Sequence, residues 1–459
     1  MSQHHGSTTP ARPDVASGPY DVDVDVAVVG GGIAAMSAAI FLRRAGLGVV
    51  CIETSPYPHN KVGESLDWSS PWLFQQLGVA PETLLADAVA TPKRHIVVNE
   101  VGAAPWSATP WRFVNRSPLR FETSTLHVDR TALDQRLYER AAALGATFIW
   151  ERATIVERNG DRIAAVTTTS GTRIAARWFV DATGIAGLFA RSLQIPRTHY
   201  GEAKVALWTY FHTPPATLGT TFFVDNRDRY LCWVWDIPIS PDRTSVGFIL
   251  TAEAMRARRR DGASVTDILH AELGRFEHFD ELLRAQSETE ISTIAFQPYV
   301  TCQVCGPNWF MIGEAASMPD PLTGNGVTSA IRHARLAAQA IAAAGTTSTL
   351  SAGARQRYSA HVHRLGHAFN RSIEHAVYGP AVRWGLGLPA AALIYTAFGF
   401  FMNAFYTRFD PRGRIGMALF GLLFGLVRLW IGGWSLIARA MLRLRGPVRH
   451  VAVAQAGVR

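Results

Sequence analysis

VDVAVVGGGIAAMSAAIFLRRAGLGVVCIE, residues 24 to 53, reads as a strand, a glycine turn, a helix and a second strand. Val24, Val26, Val28 and Val29 form a β-branched run, Met36 to Arg44 carry helix formers, and Val49 to Ile52 form the next strand. The turn follows the G-x-G-x-x-G/A pattern with Gly30, Gly32 and Ala35, Ile33 and Ala34 filling the positions between. Gly30 allows a tight turn, Gly32 lets backbone approach a pyrophosphate, and Ala35 keeps the helix close to the strand. The helix N-terminus then faces the phosphates. Glu53 ends the second strand where a carboxylate bonds an adenosine ribose. This βαβ unit predicts a dinucleotide-binding domain. The chain offers no obvious second fingerprint for a nicotinamide cofactor.

Two further segments share this grammar. RWFVDATGIAGLFARSL runs from a strand into Asp181 to Gly184 and then a helix. NWFMIGEAASMPDPLTGNGVTSAIRHARLAAQAIA runs from a strand ending at Ile312, through an irregular loop to Gly326, into a long helix. Between them, residues 196–295 alternate apolar and polar in stretches such as KVALWTYFHT and TSVGFILTAE, which predicts a separate antiparallel sheet.

Composition narrows the partners. The 459 residues are 48% hydrophobic with a formal net charge of +9. From Arg408 to Arg459, nine arginines and one acid, Asp410, carry eight of those charges. They border apolar helical sequence rather than a polar groove, which favours an anionic membrane surface over nucleic acid. Cys302 and Cys305 form a lone CxxC without a second pair, so two semi-buried thiols are expected and no zinc site. Residues 1–20 lack an apolar signal-peptide core and are expected to be disordered, in a reducing, cytoplasmic setting.

LCWVWDIPIS, residues 231–240, is the most specific stretch after the glycine turn. Alternation puts Trp233, Trp235 and Ile237 on one strand face, and Pro238 is expected to end the strand. With NKVGESLDW (60–68), LHVDRTALDQRL (126–137) and DATG (181–184), this WxWxIP stretch resembles the flavin-dependent halogenases. These belong to the FAD monooxygenases of the glutathione-reductase-like fold. The resemblance implies an α/β, FAD-binding Rossmann fold with an antiparallel substrate subdomain and a helical C-terminal region. Residues 21–195 and 296–345 would form the FAD-binding domain, 196–295 the substrate subdomain and 346–459 the helical region.

The resemblance also implies roles. FAD would contact Gly30, Gly32, Ile33, Ala34, Ala35, Glu53, Glu64, Ser65, Arg130, Asp181, Gly184, Glu314, Pro321, Gly324, Gly326 and Val327. Halide would bind at Asn325 and Gly326, and Trp233, Trp235, Ile237 and Pro238 would wall the flavin channel. A separate flavin reductase would supply reduced FAD, and a lysine would present electrophilic halogen to an electron-rich ring. Lys93 is the candidate, with Lys61 its rival in a chain of very few lysines. Departures from the family are Glu314, where the usual residue is Asp, and Thr323, where tryptophan halogenases place a glutamate. Free tryptophan is therefore a poor substrate expectation. Asp320 is expected to structure the turn.

Trp384 to Thr407 carries no formal charge over 24 residues. Helices lying in a membrane interface are the favoured reading, with a transmembrane hairpin or a lid over the pocket as alternatives. Interfacial docking, at the inner face of the cell membrane, suits a lipophilic phenol, pyrrole or polyketide, free or carrier-bound. Three other readings stay open: a monooxygenase or epoxidase, a geranylgeranyl-reductase-like enzyme, and a non-catalytic flavoprotein or lipid-binding module.

Overall fold

The computed structural model describes residues 21–57, 61–67, 69–100, 106–108, 125–214, 218–225, 232–284, 290–376 and 378, with isolated positions 422, 429, 433 and 436. The expectations for residues 1–20 and most of 384–459 lie outside the described residues.

The glycine-turn stretch forms strand Val22–Val29, helix Ile33–Arg44 and strand Val49–Glu53. Val22–Val29 lies inside a seven-stranded sheet, with parallel neighbours Arg173–Asp181 and Val49–Glu53. Thr147–Trp150 extends the sheet beyond Val49–Glu53, and Trp309–Met311 pairs in parallel with the end of Arg173–Asp181. Parallel pairing requires crossovers that cover both faces, so Val26, Ala27 and Val28 are fully buried. Helices Ile33–Arg44 and Gly326–Ala343 pack against each other, bringing segments far apart in the chain to one end of the sheet.

A second seven-stranded sheet runs in the order Ser292–Phe296, Lys204–Phe211, Arg243–Thr251, Cys232–Ser240, Gly219–Asp225, His95–Glu100 and Trp106–Ala108. The sheet expected within 196–295 thus takes its last two strands from outside that range. Its faces differ as alternation dictates. Trp233, Trp235, Ile237 and Ile239 pack on one side with Trp208, Tyr210 and Tyr299. Val234, Val246 and Phe248 pack on the other against helix Val265–Leu273.

Pro238 does not end its strand, contrary to expectation. The strand continues to Ser240, and the ladder shifts register between Pro238 and Ser240. The physical reason is that pairing with Gly219–Asp225 stops at Asp236, so Pro238 has a strand neighbour on one side only. A missing N–H is tolerated at such a one-sided or bulged position. A short antiparallel ribbon, Ala90–Lys93 with Thr125–Val128, packs onto this sheet, and Thr91 Oγ1 donates to Pro238 O at 2.5 Å.

Candidate active site

The cofactor end is built first by sterics. Gly30 has φ +116°, and a Cβ there would lie 2.4 Å from Ala182 O, so glycine alone allows the turn and the 181–184 segment to touch. Asp181 is fully buried; its carboxylate accepts from Thr183 N at 2.9 Å and Phe189 N at 2.7 Å, which fixes that segment. Glu53 turns back toward Gly31 and accepts from Thr54 N at 2.7 Å. Beside it lies an aromatic cluster that the sequence reading missed: Tyr57 stacks on Tyr138 at 4.7 Å, and Phe148 stacks on Trp150 at 5.4 Å. Trp150 pairs directly with Glu53 in the sheet.

The middle of the site converges on the 61–67 segment. Lys61 Nζ stands 3.5 Å from the position a Gly32 Cβ would occupy, which places it at the pyrophosphate turn. Arg130 donates to Val62 O at 2.7 Å and pairs with Asp134 at 3.0 Å. Asp129 caps that helix, accepting from Thr131 N at 2.8 Å. Glu64 is buried and accepts from Tyr210 Oη at 3.0 Å and Ser245 Oγ at 3.3 Å; Trp235 Nε1 in turn donates to Ser245 Oγ at 3.2 Å. Burial pushes the Glu64 carboxyl above the usual carboxylate range. The tandem tryptophans therefore join the 61–67 segment through a hydrogen-bonded chain, their ring centroids 5.7 Å apart. Ile237 packs in the same cluster.

The 313–327 segment closes the site. Burial raises the Glu314 carboxyl above its usual range, with Arg130 and Lys61 opposing. Asp320 accepts from Leu322 N at 3.1 Å and pairs with Lys204 Nζ at 3.2 Å, so it both structures the turn and neutralises a buried lysine. Lys204 also sits 4.2 Å over the Tyr378 ring, and Trp233 Nε1 donates to Tyr378 Oη at 3.3 Å. Scarcity of lysine was the signal that could have marked Lys204. Past Pro321 and Gly324, the Gly326–Ala343 helix opens with free space around Gly326 and with Val327 buried. Asn325 is 2% exposed, yet its Nδ2 has no hydrogen-bond partner among the described residues.

Lys93 ends the short strand Ala90–Lys93. It is 3% exposed; Nζ donates to Ser65 Oγ at 2.9 Å and Leu66 O at 3.1 Å. Burial lowers its pKa from 10.5 to about 7, against the pull of Asp67. Asp67 accepts from Thr328 Oγ1 at 2.7 Å, tying the lysine pocket to the Gly326 helix. Cys302 is exposed and Cys305 buried, rather than both semi-buried.

A sequence model of the FAD binding domain family matches residues 23–369. The chain belongs to this family. The glycine turn, Glu53, the open Gly326 helix terminus and the unpartnered Nδ2 donor of Asn325 in the closing loop fit the group that the family binds. Tryptophan 2-halogenase of Chondromyces crocatus is 29% identical over 337 residues, 69% of this chain and 60% of that protein. A brominase of 1H-pyrrole-2-carbonyl peptidyl-carrier protein from Pseudoalteromonas luteoviolacea is 25% identical, over 69% of this chain and 77% of its own length. Menaquinone reductase of Mycolicibacterium smegmatis is 27% identical, over 72% and 78%. The structure of the flavin-dependent brominase Bmp2 superposes with TM-score 0.64 at 22% identity, covering 92% of this chain and 99% of that one. The FAD-binding Rossmann-type fold and the resemblance to flavin-dependent halogenases stand on these matches.

Proposed function

We propose that the protein is an FAD-dependent oxidoreductase that halogenates an electron-rich, lipophilic aromatic or pyrrole-type substrate. The observation that carries this reading is Lys93: a buried amine with a lowered pKa, held on Ser65 beside the tandem-tryptophan sheet. Bound reduced FAD would supply the chemistry that, with O2, turns halide into hypohalous acid. The chain's own part is to hold, screen and present. Gly30, Gly32 and Glu53 hold the dinucleotide, with Ile33, Ala34 and Ala35 in the same turn. Glu64, Arg130, Asp181, Gly184, Glu314, Pro321, Gly324 and Val327 frame the flavin. Asn325 Nδ2 and the Gly326 helix terminus offer donors to halide. Trp233, Trp235, Ile237 and Pro238 wall off water, and Lys93 presents the electrophilic halogen to the ring.

A second reading has one comparison in its favour: the menaquinone reductase relative suggests reduction of an isoprenoid quinone. One assay separates them. Purified protein receives reduced FAD, air and bromide with phenols and pyrroles, or reduced FAD with menaquinone, and product masses are read. The expected product carries bromine and disappears in Lys93→Ala. A gain of one oxygen regardless of bromide marks a monooxygenase, and a gain of two hydrogens on the quinone marks the reductase. A separate flavin reductase as electron supplier and a carrier-bound form of the substrate belong to the same proposal.

A further inference from the structure

We propose that His127 sets the charge of the Lys93 amine through a buried chain of two hydroxyls, Thr220 and Ser65. The catalytic meaning of this rests on the halogenase reading above; the chain itself rests on geometry. His127 Nε2 lies 2.8 Å from Thr220 Oγ1, Thr220 Oγ1 lies 2.9 Å from Ser65 Oγ, and Ser65 Oγ lies 2.9 Å from Lys93 Nζ. His127 and Thr220 are fully buried and Lys93 nearly so. The four residues come from three strands and a loop, and the pairing of Ser65 with His127 brings the ends of the chain together.

The polarity follows from the other face of the imidazole. His127 Nδ1 is buried with no partner among the described residues. A buried N–H left unpaired costs more than a bare lone pair, so the proton belongs on Nε2. Nε2–H then donates to Thr220 Oγ1 and Thr220 donates to Ser65 Oγ, so Ser65 Oγ already accepts one hydrogen bond when Lys93 Nζ donates to it. A hydroxyl oxygen already occupied by one donor is a poorer acceptor for an ammonium, which favours the neutral amine. Around the amine, Asp67 favours the charged form, while His127 on the facing strand and His95 on the next strand are cationic only when protonated. Burial holds the His127 imidazole neutral. Neutral Lys93 is the form able to accept an electrophile, so His127 acts as a positioning residue.

The test uses the FAD-loaded protein labelled with [ε-13C]lysine. The chain holds three lysines, Lys61, Lys93 and Lys204, so three signals result, and Lys61→Arg and Lys204→Arg assign them. Thr220→Val removes the hydroxyl and keeps the shape. The Lys93 midpoint is expected to rise by about one pH unit in Thr220→Val and in His127→Phe, and to return in Thr220→Ser. The acid limb of kcat moves the same way, with KM unchanged. A Lys93 midpoint in Thr220→Val that stays in place or falls overturns the proposal, and Thr220→Val decides alone where His127→Phe does not fold. Because the signal reads Lys93 without turnover, absence of halogenation sinks the functional reading and leaves this one standing.

Discussion

The chain has three lysines in 459 residues: Lys61 beside Gly32, Lys93 on Ser65 and Lys204 on Asp320. Placing Lys93 in the interior costs stability, and the sign of its pH dependence is fixed. The folded amine titrates at about 7 and the unfolded one near 10.5, so the unfolded chain binds this proton more tightly between those values. The cost is full below about pH 7 and shrinks as pH rises toward 10.5. Lys93→Met should therefore abolish turnover yet raise Tm, with a larger gain at about pH 6.5 than at about pH 9; thermal melts at both values decide it. An equal gain at both would mean the amine is not desolvated. Gly30→Ala makes a different prediction. The left-handed φ and the 2.4 Å approach to Ala182 O leave no room for a methyl, so FAD affinity should drop at least tenfold, read by fluorescence titration.

At the scale of elements, the Cys232–Ser240 strand is the hub. One face packs tryptophans toward the 61–67 segment through Ser245 and Glu64, and its Pro238 carbonyl holds Thr91, two residues before Lys93. The helix that aims Arg130 depends on its cap. Asp129 accepts from Thr131 N and Ala132 N while pairing with Arg243 at 2.7 Å. Asp129→Ala should lose about 1 kcal/mol of stability from the cap alone, a fall of a few degrees in Tm. Asn at this position keeps the cap and should recover most of it. If Asn and Ala behave alike, the Arg243 pair, not the cap, holds the helix start.

At the scale of the molecule, two sheets and a helix end share one site, and the family match spans both sheets. No helix among the described residues is long and apolar enough to cross a membrane. Leu422, Leu429 and Leu436 are exposed. If the tail docks on an anionic surface, full-length protein should float with anionic vesicles and a variant lacking residues 384–459 should not; equal flotation of both, or of neither, would sink the docking reading. How much of this was legible in the sequence varies with the range of the signal. The glycine turn, the strand–helix–strand order and the tryptophan face are set by period and sterics within one βαβ unit, or by a single short motif. The bulge at Pro238, the Lys204–Asp320 pair, the aromatic cluster beside Glu53 and the hydroxyl chain to His127 were not legible. The bulge lies within a hairpin, where pairing and not sequence decides it; the others join segments that are distant in sequence: Lys204 and Asp320 are 116 positions apart, and Ser65 and Thr220 are 155 apart. Sequence alone determined which side chains are candidates for the chemistry; tertiary packing decided which of them are dry, paired and in reach, because desolvation and hydrogen-bond partners exist only after distant segments have closed around them.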